Sequence, residues 1–379
     1  MLMYCIFLGQ FLSFSAFLVH VVQVQLPSSS FDMKNYAVIL ILLCCCCCCC
    51  GLAQAQRDSC SLLLSFYNVE NLYDPENDSL FRDDDFTPEG SYHWTYGKYA
   101  KKVNNIAKVL IAMGEGEPPD IAAMAEVEND RVFQRFCYHS PLRKFNYSYV
   151  HFDSPYLRGV ETGLLYRKDR LQIIHKEAIA VVFPFEPATK NRDILYVVAK
   201  TLQSDSLHLF VNHWTSRYGG YGATVPKRNY YAQVLRHRVD SLLSLNPASK
   251  IIIMGDFNDY PTDESVSKTL GACDKDNTDT ASLYNLMYRF LKMNNIGTHK
   301  HEDFWGCLDQ IIVSPTLLDS TSAGMHIVNN EAHIFKEDFM VVPDEKYGGY
   351  KVFRTFLGPR YIGGYGDHLP VFIKLKVEN

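Results

Sequence analysis

The sequence predicts an α/β layered fold, on three observations. Short apolar runs recur along the body, many rich in β-branched or aromatic residues. Helical patterns lie between some of them. No internal repeat and no long linker interrupts the chain after Gln56. Mixed strands and helices over such a length argue layers packed on a common core.

The runs Leu62–Tyr67, Ile121–Met124, Gly163–Tyr166, Ile194–Ala199, Leu207–Val211, Ile251–Met254, Ile311–Val313 and Val371–Leu375 read as strands. Tyr99–Met113 places Val103, Ile106, Ala107 and Leu110 on one helical face, and Tyr230–Leu245 does the same with Val234, Leu235, Val239 and Leu242. Pro261-Thr262-Asp263-Glu264 reads as a helix start. Asp74–Trp94 is polar and poorly periodic, as a surface loop would be. Thr298–Gly306 and Val328–Gly349 read as further loop insertions.

Residues 1–55 read as an apolar leader and residues 56–379 as a single domain. Met1 to Leu26 carries no charged side chain, and Asn35–Ala53 is again uncharged. Two membrane spans are one reading. The preferred one takes Met33-Lys34 as the true start, Tyr36–Cys50 as the apolar region of a signal peptide and Ala53-Gln54-Ala55 as its cleavage site. The protein is then secreted or held in the cell envelope, with a membrane contact only through an uncleaved leader. Seven of the 12 cysteines form the run Cys44–Cys50, which acts as small apolar filler. Cys60, Cys137, Cys273 and Cys307 lack the close pairing of a zinc site, and their disulfide state stays open.

The chain is 47% hydrophobic and 21% charged, with a formal net charge of −5. A generic electrostatic nucleic-acid binder would be strongly basic, so nothing in the composition demands DNA. Nor is there a nucleophile elbow or a phosphate-cradling Walker loop.

The chemistry sits where strands stop. Leu62–Tyr67 ends at Asn68-Val69-Glu70, and Ile121–Met124 ends at Ala125-Glu126. Leu207–Val211 ends at Asn212-His213, and Ile251–Met254 ends at Gly255-Asp256-Phe257-Asn258. Asp309 and the pair Asp367-His368 directly precede apolar runs. In α/β sheets, ligands bind outside the carboxyl ends of strands. Taken singly, each cluster has an ordinary structural reading: Asn68 as a turn former, Glu126 as a loop acid, His213 as a buried histidine, Asp309 as a turn cap. Their ordered recurrence argues for a site.

This ordered set resembles the endonuclease/exonuclease/phosphatase superfamily, from about Ser61 to Val377, with Phe66–Asp74 similar to a secreted bacterial branch. One departure is Gly366, where many members carry Ser. The resemblance implies a four-layer α/β sandwich of two mixed β-sheets packed face to face, with helices outside. It implies a monomer that hydrolyses phosphate esters with Mg²⁺, or with Mn²⁺ in its place. Glu126 is the implied principal metal ligand, with Asn68 and Glu70 completing the shell through the ion's waters and Asp367 contributing. Asp256 would orient or deprotonate the attacking water, Asn258 would hold a phosphate oxygen, and His213 would contact phosphate or assist the leaving group. His368 beside Asp309 would serve as a general base or as a cationic clamp.

An oxygen-rich shell suits Mg²⁺, and in-line attack by water needs no covalent intermediate. The substrate stays open between nucleic acid, phospholipid and sugar phosphate, and a silent binding module of the same fold is the alternative from another class. Arg217, Lys227 and Arg228, interleaved with Trp214, Tyr218, Tyr221, Tyr230 and Tyr231, could form a rim that stacks bases, or could simply pack. Gly219–Gly222 and Gly363–Gly366 read as flexible rims.

Overall fold

The computed structural model describes residues 61–201, 206–276, 282–293, 295–321 and 324–378. The leader and Cys60 lie outside these residues. In chain order the strands are β1 (Ser61–Leu72), β2 (Ile121–Val127), β3 (Tyr147–His151), β4 (Glu161–Arg167), β5 (Leu171–Ile179), β6 (Ile194–Thr201) and β7 (Ser206–His213). Next come β8 (Lys250–Asp256), β9 (Ala272–Cys273), β10 (Leu283–Asn285), the hairpin β11 (His299–His301) and β12 (Phe304–Gly306), and β13 (Asp309–Val313). Then follow β14 (Gly324–Ile334), the pair β15 (Val341–Pro343) and β16 (Tyr350–Val352), the pair β17 (Phe356–Leu357) and β18 (Arg360–Tyr361), and β19 (Val371–Glu378). The principal helices are α1 (Tyr96–Met113), α2 (Asp130–His139) and α3 (Tyr221–Leu245).

Two mixed sheets result, one ordered β14-β19-β1-β2-β4-β3 and the other β5-β6-β7-β8-β13-β10-β9. Their central strands are buried on both faces, and the side-chain period of two divides each of these between two cores. Leu62, Leu64 and Phe66 of β1 join Ile252 and Met254 of β8 and Leu209 and Val211 of β7 between the sheets. Leu63, Tyr67 and Val69 face the opposite way, against Val103, Ile106 and Leu110 of α1. Phe210, Ile251 and Ile253 pack against Tyr231, Leu235 and Val239 of α3. The order helix, sheet, sheet, helix is the expected four-layer sandwich.

Every run read as a strand from the sequence is a strand here, usually longer. The misses have physical causes. Strand β5 is an edge strand with a mostly exposed surface, so no apolar run announces it. Strand β14 is long and bulged, with register lost between Ile327 and Ala332. It therefore occupies part of the segment expected to be loop. Helix α2 is short and amphipathic, opened by Asn129, whose side chain accepts from the Val132 amide at 3.2 Å. Pro261–Glu264 opens only a single wide turn, Ser265–Thr269, rather than an α-helix. Helix α3 starts at Tyr221, nine residues before the apolar pattern, and carries Pro226 in its first two turns.

Candidate active site

The second sheet sets three site residues in one row. In register, His213 at the end of β7 pairs with Asp256 at the end of parallel β8. Asp256 in turn pairs with Asp309 at the start of antiparallel β13. Gly255 is required here: a Cβ at this position would lie 2.3 Å from the Asn212 carbonyl oxygen. The first sheet contributes Asn68 from β1 and Glu126 from β2. Asn68 Nδ2 donates to Asp256 Oδ2 at 3.0 Å, joining the two sheets at the site.

His368 lies just before β19. Its Nδ1 lies 2.7 Å from Asp309 Oδ2, and its Nε2 stands 3.9 Å from both Asp256 Oδ2 and Asp367 Oδ1. The buried Asp309 fixes the tautomer and orientation of the ring. Burial alone would push the His368 pKa down, but Asp309, Asp367 and Asp256 around it carry it well above the ordinary value. These three carboxylates favour the protonated form of the ring. Asp256 moves the other way: burial lifts its carboxyl to about 6, partly offset by His368. His213 is buried, and burial, followed by the charges of Arg192 and Arg158, holds its pKa well below the ordinary value. Its Nε2 stands 3.7 Å from Asp256 Oδ2 and 3.8 Å from Glu126 Oε1. Its Nδ1 finds no partner among the described residues.

Glu126 and Asn258 both adopt left-handed backbone, at φ 63° and φ 51°. Such positions cost about 1–3 kcal/mol each and persist only where the surroundings impose them. The backbone amide of Asn71 donates to Glu126 Oε2 at 2.7 Å, which leaves Oε1 toward His213. The backbone amide of Asn258 donates to Asp256 Oδ1 at 2.9 Å, and its side-chain Nδ2 donates to the Trp214 carbonyl at 3.1 Å.

Glu70 stands apart from its expected company. Arg354 donates to its Oε1 at 2.9 Å and the Thr355 amide to its Oε2 at 2.6 Å. Buried Lys102 donates to its backbone carbonyl. With both oxygens engaged, Glu70 anchors Arg354, which also donates to Asp367 Oδ2 at 3.1 Å. It thus reaches Asp367 through Arg354. Burial raises Asp367, but His368 and Arg354 outweigh it and hold the carboxyl below its usual range.

Glu126, His213, Asp256, Asn258, Asp367 and His368 line one cleft of about 570 Å³. Asn68 and Asp309 support them from beneath. Glu126 and Asp367 line the cleft as oxygen donors of the kind a hard divalent ion takes, while Asn68 gives its Nδ2 to Asp256 and accepts from the Glu70 amide at 3.1 Å through its Oδ1.

The sequence reading missed Arg158, Arg192 and His299 in the same cleft wall. The arginines lie on segments without a strong pattern. His299 lies in the segment expected to be a loop; it is in fact the β11–β12 hairpin, whose His299 bridges backbone to backbone with His368. Burial and the His368 charge hold the His299 imidazole down at about 4.

Of the aromatic-basic rim, Arg217 and Tyr218 line the cleft, and most of the rest is engaged elsewhere. Arg228 is fully buried and pairs with Asp259 at 2.8 Å, and Trp214 and Tyr231 are core residues. Lys227 pairs with Glu186 at 2.7 Å, and Arg217 pairs with Asp263 at 2.7 Å. Tyr221 and Gly222 belong to α3 rather than to a flexible glycine rim; Tyr218 remains 93% exposed.

This architecture, with a row of acids and histidines where two sheets meet, defines a class of phosphate-ester hydrolases. Residues 63–377 match the endonuclease/exonuclease/phosphatase family, and the chain belongs to it. Solved structures share the fold. A mannosyl-6-phosphatase from Bacteroides thetaiotaomicron is 17% identical, with a TM-score of 0.52, covering 83% of this chain and 99% of its own. An endonuclease/exonuclease/phosphatase family protein from the same organism is 16% identical, with a TM-score of 0.51, covering 84% of this chain and 98% of its own. A humanized D. rerio TDP2 is 15% identical, with a TM-score of 0.51, covering 84% of this chain and 100% of its own. Comparison with the curated proteins finds no match. Cys137, Cys273 and Cys307 are free. Among the described residues no helix is long and apolar enough to cross a membrane.

Proposed function

We propose that the protein is a Mg²⁺-dependent hydrolase of small phosphate esters, or of a single phosphate at the end of a larger molecule, acting by in-line attack of water. The observation that carries this reading is the pairing of His368 with Asp309 at 2.7 Å, within 3.9 Å of Asp256, in one cleft with Glu126. Glu126 and Asp367, with Asn68, would hold the ion, which supplies charge neutralisation at phosphorus when bound. His368, a cation oriented by Asp309, then clamps a phosphate oxygen rather than acting as the base. Asp256 is the base: two donors, Asn68 and the Asn258 amide, aim its carboxylate, and its raised pKa lies close to working pH. Neutral His213 and the second Nδ2 hydrogen of the Asn258 side chain donate to phosphate oxygens.

The compact cleft supports the small-substrate reading. Its cations are Arg158, Arg192 and Arg217, the last paired with Asp263, while Lys227 and Arg228 are tied in ion pairs with Glu186 and Asp259. A duplex binder needs phosphate contacts spread over several nucleotides. The test is a substrate panel of phosphomonoesters, small phosphodiesters and plasmid DNA with Mg²⁺ at 50 and 200 mM salt. Turnover of small esters that varies little with salt is expected. Plasmid cleavage that falls about tenfold or more over that range, without turnover of small esters, would favour a nuclease instead.

A further inference from the structure

We propose that His299, Asp367 and His368 form a transition-metal site, taking zinc-like divalent ions in preference to Mg²⁺, whose occupancy removes His368 from the reaction. One ligand atom from each of the three lies within 4.8 Å of the others. The β11–β12 hairpin brings the two rings together, with centroids 4.8 Å apart. His368 is already prepared as a ligand. Asp309 occupies its Nδ1, so Nε2 is presented to the ion, in the carboxylate–histidine–metal arrangement that orients metal-bound imidazoles. Asp367 is prepared in the same way: Arg354 occupies Oδ2, and Oδ1 stands 3.9 Å from His368 Nε2. Two ligands about 2.1 Å from a tetrahedral ion lie about 3.4 Å apart, so a small side-chain rotation closes the set.

Ligand chemistry sets the preference. Two imidazoles and one carboxylate suit zinc, nickel or copper, whereas the oxygen set around Glu126 suits Mg²⁺. Asp367 is common to both sets, which couples the two ions. On binding, the Nε2 proton of His368 leaves to solvent and its lone pair joins the metal. The phosphate clamp then loses both its proton and its position. The binding site itself does not depend on the proposed hydrolysis; only the inhibition rests on that reading.

Cobalt reports on the site directly. Purified protein in millimolar Mg²⁺ is titrated with Co²⁺ and the visible absorption of the bound ion is followed, then Zn²⁺ is added. One Co²⁺ per chain, with a visible band removed by an equivalent of Zn²⁺, is the expected result. His299→Phe keeps a ring against His368 without a ligand nitrogen. Its Co²⁺ affinity should fall by about 100-fold or more, since even residues that only support a ligand are worth 10–100-fold. His299→Gln makes the same test with a smaller side chain, and the melting temperature shows which variant is folded. Zn²⁺ should inhibit Mg²⁺-supported hydrolysis by wild type, and far less that of His299→Phe relative to its own rate. Equal Co²⁺ affinity in a folded variant and wild type overturns the proposal, as does the absence of a visible band in wild type. Co²⁺ binding as described, without any phosphate-ester turnover, would leave the site standing and remove the hydrolase reading.

Discussion

Asp256 and Asp309 are direct cross-strand partners in the β8–β13 pair, yet only Asp309 bonds His368. The two carboxylates differ because the opposite sheet reaches one of them: Asn68 holds Asp256, whereas Asp309 receives the imidazole. Burial lifts the Asp256 carboxyl to about 6, with His368 pulling against it, while Asp309 is engaged with the imidazole.

Loss of either member of the His368–Asp309 pair should disable the same function. Asp309→Asn is expected to lower kcat by about 10²–10⁴-fold, and His368→Ala at least as much. The double variant should lose little more than the worse single one, because the pair acts as a unit. Steady-state kinetics of the three variants checks this; losses that multiply would mean separate roles.

The pH profile follows from the two shifted groups. Asp256, raised to about 6, must be deprotonated, so kcat should fall as pH drops through about 6. His368, raised well above its ordinary value, must keep its proton, so activity should fall again on the alkaline side. Asp256→Asn should remove nearly all activity. Asp309→Asn should move the alkaline limb to lower pH, since a carboxylate no longer supports the imidazolium. An unmoved limb would take His368 out of the clamp role.

Metal dependence should reside in Glu126. EDTA should abolish turnover and Mg²⁺ or Mn²⁺ should restore it. Glu126→Gln should raise the Mg²⁺ concentration needed for half-maximal activity by about tenfold or more, with an unchanged melting temperature. Glu70→Gln should instead act through Arg354 and Asp367, with a smaller effect on the metal requirement. Equal effects of the two would return Glu70 to the metal shell.

Arg228 supplies a test of fold against function. Breaking a buried ion pair typically costs about 3–5 kcal/mol. Arg228→Ala should therefore lower stability by up to roughly that amount in urea unfolding, because buried Asp259 keeps only Arg217 at 3.3 Å and the Ser265 hydroxyl as partners. Little loss of stability, together with weaker salt-dependent DNA binding, would restore the basic rim.

The sequence made the site legible because its residues stand at the ends of apolar runs. Once Ile251–Met254 and Leu207–Val211 are strands, Asp256 and His213 follow at their carboxyl ends. The same logic does not reach the partner of Glu70, since Arg354 lies 284 residues away on a loop. It failed for the rim because a charge pattern does not reveal burial, and Arg228 is 0% exposed as a side chain. His299 escaped because a short hairpin of mixed residues carries too little period to be told from a loop.

The central claim is that this cleft hydrolyses small phosphate esters with a divalent metal and an aspartate base. The most direct measurement is the Mg²⁺-dependent release of product from a small phosphate ester by wild type and by Asp256→Asn, each with and without EDTA. Turnover by wild type that EDTA abolishes, and at least about 10²-fold less by Asp256→Asn, is the predicted result. Equal turnover by the two proteins, or undiminished turnover in EDTA, would contradict the account.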